Sequence, residues 1–261
     1  MLGERMPLAE LCPGLETEAV LTAYCRGRTG LLADDGARWA VLILPGGGYE
    51  RIAPAEEEPV ALAFAAAGVQ SFVLSYSVLP ARWPRQFLEG AAALAWMRRH
   101  AGEYGFCPDR VAVCGFSAGG HLAGCLACLW DHPILKEALG LAPAQVRPDA
   151  SILCYPVVNE ERYLSPLGGG EELRLDRRAR PDHPPAFLWA TAGDATVPAE
   201  NTLDYARALR ENGVPFELHI FQDGPHAMGL ADWESARDEA HYNAHAAAWH
   251  GLCVDWLKGR S

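Results

Sequence analysis

A serine hydroxyl is a poor nucleophile at neutral pH unless a base takes its proton and a carboxylate orients that base. Ser117 lies where such activation is feasible, in Val111-Ala-Val-Cys-Gly-Phe-Ser-Ala-Gly-Gly-His121. Residues of strand type run into Gly115-x-Ser117-x-Gly119 and on into small, helix-compatible residues. A serine so placed sits on a sharp strand-to-helix turn. Its hydroxyl is pushed out at the top of a sheet, and the next N–H, that of Ala118, points at whatever the hydroxyl attacks. Gly115 and Gly119 suit the turn because side chains there would collide across it. The same pattern also describes a glycine-rich helix start that only packs closely, so the nucleophile reading depends on finding its partners.

Partners are sought after other strand-like runs, because ligands gather at the carboxyl ends of parallel strands. Phe187 to Ala192 is followed by Gly193-Asp194-Ala-Thr-Val-Pro198, which makes Asp194 the candidate orienting acid. An aspartate there could also be a plain turn or cap residue. Phe221 is followed by Gln222-Asp-Gly-Pro-His226-Ala-Met-Gly229, which makes His226 the candidate base. His121 competes for the base but lies on the helix, pointing away from the hydroxyl. Asp223 competes for the acid but is too close to His226 in the chain to orient its ring easily. Pro45-Gly-Gly-Gly-Tyr49 follows the apolar run Trp39 to Leu44 and lets the backbone approach a carbonyl. Gly47, Gly48 and Ala118 are therefore the expected oxyanion donors, one such donor being worth about 3 kcal/mol in a transition state. The glycine run has no Lys-Ser/Thr pair, which excludes a phosphate-binding P-loop.

The elements that must hold these residues alternate along the chain. Strands are expected at Leu15 to Tyr24 (with Arg26-Gly27-Arg28 as its exit), Trp39 to Leu44, Val69 to Tyr76, Val111 to Cys114, Ala150 to Tyr155, Phe187 to Ala192 and Phe216 to Phe221. Helices are expected at Glu56 to Ala67, Pro84 to His100, from Ser117 to about Trp130, Pro198 to Asn212, and in one long run from Asp232 to Lys258. Residues 1–14 read as irregular. Residues 157–185, with three consecutive glycines, a charged cluster and four prolines, read as an insertion over the top of the sheet, a lid or a solvated loop. The pattern predicts one α/β domain over residues 1–261, a doubly wound and mainly parallel sheet with helices on both faces.

A net charge of −11 argues against nucleic-acid or anionic-membrane surfaces as partners. Met1 to Pro7 shows no export signal, and no apolar run reaches membrane-spanning length free of charge or turn residues. The eight cysteines have no framework spacing, so reduced thiols and a cytoplasmic setting are expected. Cys125-x-x-Cys128 has no matching second pair and reads as core packing. His241 and His245 lack a third ligand at a useful spacing, and no metal is expected.

With these stretches in place, the chain resembles the α/β-hydrolase esterases of the hormone-sensitive-lipase-like group. It is similar above all to the bacterial carbohydrate esterases known as acetyl-xylan or xylanase-associated esterases. The resemblance rests on Leu44-Pro-Gly-Gly-Gly-Tyr49, Glu58-Pro-Val-Ala-Leu-Ala-Phe64, Val111 to Leu122, Asp194-x-x-Val-Pro198 and Gly224-Pro-His226. Pro45, where many lipase-like members have histidine, favours the sugar-esterase branch. The resemblance implies the α/β-hydrolase fold and hydrolysis of short acyl esters, often acetyl groups on xylo-oligosaccharides, without metal or cofactor. It implies Ser117 as nucleophile, His226 as base and then acid, and Asp194 as the orienting group. Tyr49, Trp83 and Trp189 are candidate sugar-stacking surfaces under this reading, and core residues otherwise. A small-molecule ester is the expected partner, and a homodimer is compatible with the chain. A general carboxylesterase, a thioesterase or a peptidase would use the same triad, and a binding protein that lost catalysis is the rival from another class.

Overall fold

The computed structural model describes residues 3–27, 30 and 37–260; Met1, Leu2 and Arg28 of the sequence reading lie outside them. Its centre is an eight-stranded sheet ordered β1-β2-β4-β3-β5-β6-β7-β8. The strands are β1 (Glu4–Pro7), β2 (Val20–Tyr24), β3 (Ala40–Leu44), β4 (Gln70–Ser75), β5 (Val111–Phe116), β6 (Ala150–Cys154), β7 (Ala186–Thr191) and β8 (Phe216–Phe221). β1 with β2 and β2 with β4 pair antiparallel; every pairing from β4 across to β8 is parallel. This is the α/β-hydrolase fold, with the mainly parallel sheet expected from alternating strands and helices.

Side chains alternate across a strand, so each buried strand feeds two cores. Leu42, Leu44, Val111, Val113, Leu153 and Leu188 face one side, beneath the helices Arg85–Arg99, Ala118–Cys128 and Glu200–Glu211. Val41, Ile43, Ala112, Cys114, Phe116, Ile152 and Trp189 face the other, beneath Glu58–Ala66 and Ala248–Lys258. Full burial of each large apolar side chain is worth roughly 1.5–3 kcal/mol. The register levels the strand ends: Leu44 pairs with Gly115, Phe116 with Cys154, and Thr191 with Phe221. The loops after β3, β5, β6, β7 and β8 therefore leave from one edge.

Three expectations need correction. Residues 4–11 are ordered as β1 and a short helix, Leu8–Leu11, elements too brief to show a period. β2 begins only at Val20. The long terminal helix is confined to Ala248–Lys258. Upstream, carboxylate and amide side chains capture the backbone. Asp232 Oδ1 accepts the N–H groups of Glu234 and Ser235, Asp238 Oδ1 those of Ala240 and His241, and Asn243 Oδ1 those of His245 and Ala246. Such local bonds compete with helical ones and divide an alanine-rich run into turns.

Residues 157–185 form short helical turns, including Glu161–Leu164. They are docked, with Leu164, Leu167, Leu173 and Leu175 buried in the core. The Val158 N–H donates to Asn201 Oδ1 at 2.9 Å, and Arg162 donates to the Thr196 carbonyl.

Candidate active site

The turn after β5 places Ser117 at φ 53° and ψ −117°, a left-handed backbone that costs a non-glycine residue of order 1–3 kcal/mol. The surroundings hold it there. Its N–H donates to the Cys154 carbonyl at 3.0 Å, and its carbonyl accepts from Val157 at 3.1 Å and from His121 at 3.0 Å. The flanking glycines allow no alternative: a Cβ on Gly115 would come within 2.0 Å of the Gly119 carbonyl oxygen, and one on Gly119 within 2.0 Å of that of Leu44.

The Ser117 Oγ lies 2.7 Å from His226 Nε2, and His226 Nδ1 lies 2.6 Å from Asp194 Oδ2. Asp194 is buried, and its other oxygen accepts the N–H groups of Thr196 at 2.8 Å and Val197 at 2.9 Å. Those bonds leave Oδ2 aimed at the ring, so Nδ1 carries the proton and Nε2 is free to receive the one on Ser117. The loop of His226 is pinned by Thr191 Oγ1, which donates to the Gly224 carbonyl at 2.7 Å. This arrangement can activate a hydroxyl for attack on an acyl carbon.

Above it opens a cleft of about 540 Å³, lined by Gly47, Gly48, Glu50, Arg51, Tyr163, Thr196, His226 and Arg237 among others. Gly47 (φ 124°) and Gly48 (φ 66°) take conformations that favour glycine, and Glu50 and Arg51 close the turn by donating to the Gly47 carbonyl. Among the described residues, the N–H groups of Gly47, Gly48 and Ala118 donate to no protein acceptor, so they remain available to an oxyanion.

The two sequence competitors are engaged elsewhere. His121 is buried between Tyr49 and Leu173, and burial lowers its pKa to about 4. Asp223 is exposed and is not among the residues that line the cleft.

The three aromatic residues expected against the substrate do not line the cleft either. Trp189 is 0 % exposed and stacks on Trp249, with centroids 5.3 Å apart. Trp83 stacks on Phe87 at 5.1 Å, and Tyr49 turns inward to His121. For Trp189 the cause is strand parity, because alternate β7 residues must enter the second core. Tyr163, Arg51, Arg237 and Glu56 line the cleft instead. Sequence reasoning missed all four. Tyr163 lay in the segment without periodicity, and Glu56 was hidden in a run of three glutamates that read as a helix start.

Among the described residues, no group of three or more His, Cys, Asp or Glu side chains could hold a metal ion. No helix among them is long and apolar enough to cross a membrane. All eight cysteines are free, and Cys125 and Cys128 are buried in the helix after Ser117.

Comparison with known proteins follows the same lines. A family model described as alpha/beta hydrolase fold matches residues 41–177, and one described as prolyl oligopeptidase family matches residues 155–253. The endo-1,4-beta-xylanase B of Butyrivibrio fibrisolvens is 35% identical over 217 residues, 77% of this chain but 34% of that protein, so the chain spans about a third of that curated relative. The carboxylesterase Cest-2923 of Lactobacillus plantarum WCFS1 superposes with a TM-score of 0.89 at 26% identity, covering 100% of this chain and 98% of that one. An acetyl ester-xyloside bifunctional hydrolase of Caldicellulosiruptor lactoaceticus gives 0.80 at 30% identity, covering 98% and 96%.

Proposed function

The chain belongs to the alpha/beta hydrolase fold family, and on that premise we propose that it is a serine carboxylic ester hydrolase acting on short acyl esters of sugars, acetyl xylo-oligosaccharides foremost. The observation that carries this reading is the continuous hydrogen-bonded series Asp194–His226–Ser117, at 2.6 and 2.7 Å, opening on one cleft. The acetyl and sugar assignments draw on the similarity to an acetyl ester-xyloside hydrolase and to a xylanase.

In this mechanism Ser117 Oγ attacks the ester carbonyl carbon while His226 Nε2 takes its proton. The carbonyl electron pair moves onto oxygen, where the N–H groups of Gly47, Gly48 and Ala118 receive the charge. The C–O bond to the sugar then breaks, and His226 returns the proton to the leaving alkoxide. Water, deprotonated by the same imidazole, releases the acid from Ser117. Asp194 holds the ring and balances the imidazolium without itself taking the proton. Residues 157–185 shape one wall through Tyr163.

The test is a panel of acyl esters with sugar and non-sugar leaving groups. Acetate release from acetylated xylo-oligosaccharides, and acetyl esters cleaved faster than octanoyl esters, are expected. The match of residues 155–253 to the prolyl oligopeptidase family favours a second reading, a peptidase. Peptide anilides cleaved far faster than esters would keep the mechanism and replace the substrate.

A further inference from the structure

Glu56 is 1 % exposed and lines the cleft beside Ser117 and His226. Both its carboxylate oxygens are taken. Oε2 accepts the Gly46 N–H at 2.6 Å, and Oε1 lies 2.8 Å from the Tyr155 hydroxyl. The proton positions follow from chemistry. The Gly46 amide can only donate. The Tyr155 oxygen accepts the Gly229 N–H at 2.8 Å, which leaves its own proton for Glu56. Burial, with the Glu56 charge next in order, holds that phenol protonated well above its ordinary range.

Each bond reaches a different part of the site. Gly46 opens the loop that presents Gly47 and Gly48, and it rests on the nucleophile itself: a Cβ there would stand 2.9 Å from the Phe116 carbonyl and 3.0 Å from Ser117 Cβ. Gly229 closes the loop that carries His226. Tyr155 bridges the two and meets the His226 ring at a centroid distance of 5.1 Å, inclined at 69°. Its backbone, at φ 37°, is itself in the region costly for a non-glycine residue.

Resting on the esterase reading above, we infer that Glu56 is a positioning residue for ester cleavage. Through Gly46 and Tyr155 it ties the oxyanion loop to the histidine loop, and its negative charge favours the imidazolium that forms as Ser117 loses its proton. No bond to substrate forms or breaks at Glu56, and the proton moves only between Ser117, His226 and the leaving group. The charged groups that act on it are His226, with Asp194 behind it, and Arg237, while Arg51 and Glu50 line the same cleft. Burial raises the Glu56 pKa, while the bonds from Gly46 and Tyr155 and the charges of His226 and Arg237 act the other way.

The experiment compares wild type with Glu56→Gln and Glu56→Asp. It follows kcat and KM for p-nitrophenyl acetate against pH, Tm by circular dichroism, and the rate at which a fluorophosphonate labels Ser117. Glutamine keeps the shape but sets an NH2 donor against one of the two existing donors and removes the charge. Its kcat is expected to fall roughly tenfold to a hundredfold, with KM nearly unchanged. The acid limb of kcat/KM, which reports the base of the free enzyme, is expected to move to lower pH. Aspartate restores the charge and returns the limb, with kcat recovering only in part because its carboxylate is one methylene short. A folded glutamine variant with wild-type kcat, or with an unmoved acid limb, overturns the inference. The labelling arm separates this from the esterase reading. Wild-type protein that is labelled but cleaves no ester removes that reading, and Glu56 is then judged on labelling rate, where equal rates in wild type and variant count against it.

Discussion

The Tyr49 hydroxyl lies 2.7 Å from His121 Nδ1, and the other nitrogen of that ring lies 2.7 Å from the Leu173 carbonyl. A carbonyl can only accept, so Nε2 carries the proton and Nδ1 receives the tyrosine's. One neutral histidine thus joins the end of the glycine loop, the helix after Ser117 and the segment 157–185. Tyr49→Phe leaves the buried Nδ1 with only the weak Cys125 thiol, 3.9 Å away, as a donor and is expected to cost roughly 1–3 kcal/mol. Denaturant unfolding monitored by circular dichroism measures this, and an unchanged midpoint would refute the pairing.

The two histidines near Ser117 separate by role. His226→Ala is expected to lower kcat by about 10⁴-fold or more at little cost in Tm. His121→Gln, which can keep a donor and an acceptor, is expected to lower Tm and retain ester hydrolysis. If turnover disappeared in the His121 variant and survived in the His226 variant, the base would be misassigned.

Acid should destabilise the protein through its buried histidines. Burial lowers the pKa values of His121, His183 and His250 to about 4. In the unfolded chain each binds a proton near pH 6.5. Between about 6.5 and 4 the unfolded state therefore holds more protons, so stability falls as pH falls through that window. Each contributes a loss approaching roughly 3 kcal/mol at its lower end. Glu56, whose pKa is raised, offsets part of this by binding its proton more readily when folded. Unfolding free energies measured across this range should decline toward acid; a flat profile would contradict it.

Gly47 is held at φ 124°, and a Cβ there would stand 2.0 Å from the Arg51 carbonyl oxygen. Gly47→Ala must displace the loop that presents its own N–H and that of Gly48. A kcat loss of about a hundredfold or more is expected, the scale of losing an oxyanion donor. Steady-state kinetics on p-nitrophenyl acetate tests this, and a variant within a few-fold of wild type would place the oxyanion elsewhere.

Tyr163 approaches the glycine loop closely, its Cε1 lying 3.6 Å from where a Cβ on Gly48 would be. It lines the cleft from the docked segment. Tyr163→Ala is expected to widen the cleft and raise kcat/KM for octanoyl relative to acetyl esters by about tenfold, the worth of a few apolar contacts. An unchanged chain-length profile would remove Tyr163 as a selectivity wall.

The set Ser117, Asp194 and His226 was legible because each residue follows a run of strand type, and parallel strands deliver their carboxyl ends to one edge. The glycine loop was legible for the same reason. The docked turns of 157–185 were not, because their leucines have no local period and are buried only once the sheet and helices exist. The breaks in 232–247 depend on single side chains, Asp232, Asp238 and Asn243, outbidding helical bonds by small margins.

What the chain determined by itself was the order of its elements and the residues that end its strands, since periodicity and glycine placement act over a few neighbours. Only the tertiary structure decided which aromatic rings face the cleft. It turned Trp189 into the core by strand parity, held Tyr49 on His121, and brought Tyr163 and Glu56 to the site. Contacts between residues a hundred positions apart, such as Glu56 with Tyr155, arise from packing, and no local pattern encodes them.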